Sequence, residues 1–158
     1  MEKIGLIANE FIPNLRTLVK NLEEISNASL RIGYCRSLAA LKERSDSITH
    51  TDIQWALKNG IAHPDREQEL LRNCDLLLVY TGINSDSLTL PLMSSRTTFL
   101  IPETNVTKNN LRDWISLARQ YGTRFGYCLP GVLADNDDEA SLIDLAEEII
   151  CFYRVYVN

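Results

Sequence analysis

Several groups of side chains in this 158-residue chain have types suited to chemistry. The richest is Gly82-Ile83-Asn84-Ser85-Asp86-Ser87, where glycine permits close backbone approach, and an amide, hydroxyls and the free N–H groups of a starting helix could hold a ribose or a phosphate. The same residue types are preferred helix caps, so Ser85 or Asp86 simply opening the next helix is the competing reading. Asn9 and Glu10 after the first apolar run and Glu103 after the fourth form a second group. Two converging carboxylates, Glu10 and Glu103, could bind Mg²⁺ or work as an acid and base pair, although Glu10 is equally suited to the positive end of a helix.

The thiols are weaker candidates. Cys35 and Cys128 end strand-like runs, but a catalytic thiol needs a base, and the histidines, His50 and His63, both fall in one central stretch. Small buried hydrophobe is the default role for such cysteines. None of Cys35, Cys74, Cys128 and Cys151 forms a C-x-x-C pair or lies near a pair of histidines, so the expectation is no metal site. With neither G-x-G-x-x-G nor a P-loop, no cofactor and no catalytic residue is assigned.

These groups matter only if the fold brings them together. Five short apolar runs bounded by polar or turn residues read as buried strands: Lys3–Ala8, Leu30–Cys35, Asp75–Thr81, Thr97–Ile101 and Arg124–Cys128. Phe11, Leu15, Leu18, Leu22 and Ile25 recur at helical spacing after the first, with Pro13 in the first turn. Thr107 caps a helix with the stripe Leu111, Trp114, Ile115, Ala118 and Tyr121, closed by Gly122. Asp137 or Asp138 opens a last helix buried along Leu142, Leu145, Ala146, Ile149, Ile150, Tyr153 and Val157.

Strands alternating with amphipathic helices predict a three-layer α/β/α domain over residues 1–158, with a five-stranded parallel sheet in the flavodoxin-like order 2-1-3-4-5. A ligand would then sit outside the carboxyl ends of strands one and three, where the order switches. About 40 residues separate strands two and three, where one crossover needs about a dozen, so a helical insertion around residues 45–65 is expected. Its signals are Leu38–Arg44, the capping-box spacing Thr51-Asp52-Ile53-Gln54, Gly60, and a further helix from Pro64-Asp65 to Asn73.

Composition narrows the partners. Sixteen Lys and Arg against 21 Asp and Glu, a net charge of −5 with the cations scattered singly, argue against nucleic acid. No run of 18 apolar residues and no secretory leader is visible, which predicts a cytoplasmic protein off the membrane and leaves the acceptor-like Asn27 and Asn105 tripeptides without meaning. Residues Ile149–Val157 are apolar on more than one side. Phe152, Tyr153 and Tyr156 are therefore expected to offer an interface, for self-association or a protein partner, unless the insertion covers it or the chain ends in an extra strand.

Two resemblances follow from these residues. Ile4-Gly5-Leu6-Ile7-Ala8-Asn9-Glu10, the Leu15, Leu18, Leu22 helix, the strand running into Arg36-Ser37-Leu38-Ala39-Ala40-Leu41, and Leu129-Pro130 resemble a response-regulator receiver domain. The family's acidic pair is reduced to Glu10, its phosphoacceptor position falls at Tyr80-Thr81, and its lysine is Leu129, so the resemblance implies a pseudo-receiver. The implied function is a non-catalytic signalling or regulatory domain acting through protein contacts, under ligand control. Glu69-Leu70-Leu71-Arg72-Asn73-Cys74-Asp75 running into Leu76–Gly82 is similar to the nucleoside 2-deoxyribosyltransferase and Toll/interleukin-receptor group. That likeness implies a nucleotide- or nucleoside-binding enzyme or sensor using the loop after strand three, although the glutamate of the family's next helix is missing here and only Asp86 could substitute.

Overall fold

The structure, a computed structural model, describes residues 3–8, 12–27, 29–35, 74–81, 86–133 and 138–157. The expected insertion, both histidines and the Leu38 to Asn73 helices lie outside these residues. Five runs form strands: β1 Lys3–Ala8, β2 Ser29–Cys35, β3 Leu76–Thr81, β4 Thr97–Pro102 and β5 Arg124–Tyr127. They pair parallel throughout and lie in the order β2-β1-β3-β4-β5. The β1–β2 register slips between Ile4 and Gly5, which pair with Leu30 and Ile32, so Arg31 is passed over as a bulge beside a glycine.

Four helices complete the described chain: α1 Pro13–Ser26, α2 Asp86–Ser94, α3 Lys108–Tyr121 and α4 Glu139–Val157. Alternation along the strands divides the core in two. Ile4, Leu6, Ala8, Leu76, Leu78, Phe99 and Ile101 face α1 and α4. Ile7, Leu77, Val79 and Leu100 face α2 and α3. Parallel strands buried on both sides need such continuous apolar runs, and β3 and β4 are buried at every position.

Local chemistry explains where the helices begin and end. Pro13 stands in the first turn of α1, and Asn27 ends it with φ +56°, a left-handed conformation that asparagine tolerates. The Thr107 hydroxyl accepts from Asn110 N at 3.1 Å, and Gly122, φ +70°, closes α3. The Asp138 carboxylate accepts from Ala140 N at 3.0 Å and starts α4. Pro91 lies inside the nine-residue α2, where it removes one helical donor and leaves the helix dependent on its packing.

Two helix stripes are narrower than their periodicity implies. Ile25 and Tyr121 fall on the expected faces but are 38% and 47% exposed, because each sits in the last turn of its helix. Val19, off the α1 stripe, is fully buried, since α1 packs against both the sheet and α4. A third correction concerns the end of the chain. Phe152 is half-buried, its ring centre 5.5 Å from that of Phe99, and a Cβ placed on Gly126 would lie 2.7 Å from it. Phe152 and Tyr153 therefore pack against the core and do not stand out as an exposed apolar patch. The side chain of Tyr156 lies outside the described residues. Among the described residues, no helix is long and apolar enough to cross a membrane.

Candidate functional site

The strand order reverses between β1 and β3: β2 lies on one side of β1, and β3, β4 and β5 lie in sequence on the other. At such a point the connections leave in opposite directions and open a mouth above the carboxyl ends of the two strands. Here those ends are Ala8 and Thr81, both buried.

Described residues wall this mouth on the β4 side. Glu103 follows β4, and its N–H donates to Thr81 O at 2.9 Å, which sets its half-buried side chain beside the end of β3 with Oε1 buried. The chain leaving β5 is stitched across the same edge. Cys128 N donates to Leu100 O at 3.2 Å and Gly131 N to Pro102 O at 3.3 Å, with Gly131 turning the backbone at φ +77°. Leu133 then buries fully in the α1 and α4 cluster, and its carbonyl accepts from Asn14 Nδ2 at 2.7 Å. One short segment thus runs from the end of β5 past β4 to the first turn of α1.

Farther along the same carboxyl edge lies a cavity of about 310 Å³ between the ends of β4 and β5 and the start of α3. Its walls are Leu100, Pro102, Val106, Leu111, Tyr127, Leu129 and Pro130, with Asn105 and Cys128 adding polar atoms. Burial first and the charge of Glu148 second, against an opposing backbone hydrogen bond, push the Cys128 thiol from an ordinary 9.0 up to about 12. This thiol stays protonated at neutral pH. It contributes polarisable surface to the cavity and is no nucleophile.

Of the residues singled out by sequence, Asn9, Glu10, Gly82, Asn84 and Ser85 lie outside the described residues. Asp86 and Ser87 open α2 directly beyond β3, which puts them at the carboxyl edge, but their side chains are outside the description. Glu103 is at the mouth. Among the described residues, no group of three His, Cys, Asp or Glu side chains is placed to hold a metal ion. The cavity went unread in the sequence because its walls come from separated stretches, residues 100–106, Leu111 and residues 127–130, with no common periodicity. The available signal was Leu129, an apolar residue before a proline just past a strand end; it is 75% exposed.

No protein-family model matches this chain, and no curated protein matches it in sequence. A solved structure does match over nearly its whole length: the crystal structure of AnUbiX (PadA1) in complex with FMN and dimethylallyl pyrophosphate. The TM-score is 0.56 at 13% identity, covering 97% of this chain and 92% of that one. At that identity the likeness is one of fold. It corrects the expected function, because the architecture of a receiver-like, non-catalytic signalling domain is here matched end to end by a protein that holds two small phosphorylated ligands. What the chain shares with that protein is a flavodoxin-like α/β fold built on a parallel sheet.

Proposed function

We propose that this chain binds a small phosphorylated, nucleotide-like ligand at the mouth between β1 and β3, with FMN as its chemical model. The observation that carries the reading is the switch in strand order at β1 and β3, with Glu103 at the adjoining end of β4 and the cavity of about 310 Å³ farther along the same carboxyl edge, between β4 and β5. Charge assigns the ends of the ligand. A carboxylate repels phosphate and accepts from hydroxyls, so Glu103 suits the sugar or polyol portion. The phosphate suits the Gly82 to Ser87 segment, whose amide, hydroxyls and helix-start N–H groups are donors. The apolar cavity suits an uncharged ring or a short hydrocarbon group. No nucleophile is assigned, and the protonated Cys128 supplies none.

The test compares FMN with riboflavin, which lacks the phosphate, by flavin fluorescence and thermal denaturation. FMN at about a hundred times its Kd should add about 2.7 kcal/mol of stability. Replacing Ser85 and Ser87 together by Ala should weaken FMN about tenfold, or about 1.4 kcal/mol, and leave riboflavin nearly unaffected. Glu103→Gln should weaken both. A chain stabilised by neither flavin nor by any mononucleotide would overturn the reading.

A further inference from the structure

We propose that copies of this chain associate head to tail, the acidic outer face of α4 in one copy lying in a cationic groove along α3 and β5 of the next. The groove has two parts, of about 490 and 350 Å³, which share Ile115 and Arg119. Its floor is apolar, with Leu111, Ile115 and Phe125 half-buried. Its rim is positive: Lys108, Arg112 and Arg119 lie on one side of α3. The one acid in α3 is Asp113.

The outer face of α4 is the complement in both charge and apolar content. Asp144, Glu147 and Glu148 are exposed there against one cation, Arg154, together with Ile143, Cys151 and Val155, which is 73% exposed. The two surfaces cannot meet within one molecule, because α4 covers the sheet face it shares with α1 while α3 covers the opposite face with α2. Complementary patches on opposite sides of a subunit generate a heterologous contact, which closes into a ring or continues as a filament. One helix face in one groove is a small interface, so the association is weak, rises with concentration and is screened by salt.

Light scattering and sedimentation velocity across a concentration series test this. The mean mass of the wild type should rise with concentration at low salt and return to that of one chain at about 0.5 M salt, where the screening length falls to a few ångström. Arg112→Glu with Arg119→Glu in one variant, and Asp144→Lys with Glu147→Lys in a second, should each stay at one chain under all conditions while keeping the wild-type melting temperature. Mixing the two should restore association, since the reversed groove of the first then matches the reversed helix of the second. A wild type that remains a single chain at every concentration, association that survives either reversal, or a mixture that stays dissociated would each overturn the proposal.

Discussion

The two faces of the sheet are held by different means. The α1 and α4 side is an aliphatic seal: Leu15, Leu18, Val19 and Leu22 of α1 and Leu142, Leu145, Ala146 and Ile149 of α4 close over the strands, with Leu133 tucked between. The α2 and α3 side has a smaller apolar cluster around Trp114 and Leu92, and it adds buried hydroxyls. Thr98 and Thr123 are both under 9% exposed. The Thr123 hydroxyl donates to the carbonyls of Leu92 and Ser95, groups that the C-terminal turn of α2 leaves without helical partners, and Ser95 Oγ meets Thr98 Oγ1. A helix as short as α2, with a proline inside it, is thereby fixed by side chains from beyond its own end. A long helix such as α4 is held mainly by its apolar face, with the Asp138 cap at its start.

The largest expected effect tests the aliphatic side. Ile149 is fully buried, so Ile149→Ala removes transfer energy and leaves a cavity in a largely apolar cluster, at a cost of about 2–5 kcal/mol. Against a typical total of about 5–15 kcal/mol, this would be visible as a large shift of the urea midpoint at unchanged slope. A cost below about 1 kcal/mol would mean that α4 does not seal this face.

A smaller effect tests the hydroxyl side. Thr123→Val keeps the shape and removes the donor to Leu92 O and Ser95 O, with an expected loss of about 1–2 kcal/mol. Thr123→Ser retains the donor and should recover most of it. If valine were neutral, the hydroxyl network would be incidental and the two faces would be held by the same means.

This contrast also marks how far the sequence could be read. β1, β3 and β4 were legible because each is a short apolar run, whereas β5, expected to be buried, is an edge strand with Arg124 and Tyr127 exposed, and α3 was legible because Thr107 and Gly122 are cap residues in the right places. The buried threonines were not, since threonine reads as surface until its partners, Leu92 and Ser95 on another element, are known. Phe152 looked free because helical spacing alone cannot show Gly126, the strand glycine whose missing side chain makes room for its ring. At the candidate site, Glu103 was placed at the correct edge by topology alone. The Asn84, Ser85 and Asp86 segment stayed ambiguous because a helix cap and a phosphate cradle need the same donors.

The smallest effect sits where the aliphatic seal meets the carboxyl edge, at Cys128. Its thiol belongs to the α1 and α4 cluster and is 5% exposed, and burial holds its proton on until about pH 12 in the folded chain. In the unfolded chain it ionises near its ordinary 9.0. Because the folded value is the higher one, its contribution is complete below that ordinary value and drains away as pH climbs toward 12, since only the unfolded state can release the proton. One pH unit above the ordinary value, the loss is about 1 kcal/mol. Tyr153, whose hydroxyl is also raised, first by burial and then by Asp75, acts with the same sign, so the comparison must cancel it. Urea denaturation of the wild type and Cys128→Ala at pH values on either side of 9.0 does so, because Tyr153 is common to both. The wild type should lose about 1 kcal/mol more than the variant over that interval. Equal losses would show that the thiol ionises in the folded chain and is not shut off from water by the α1 and α4 cluster.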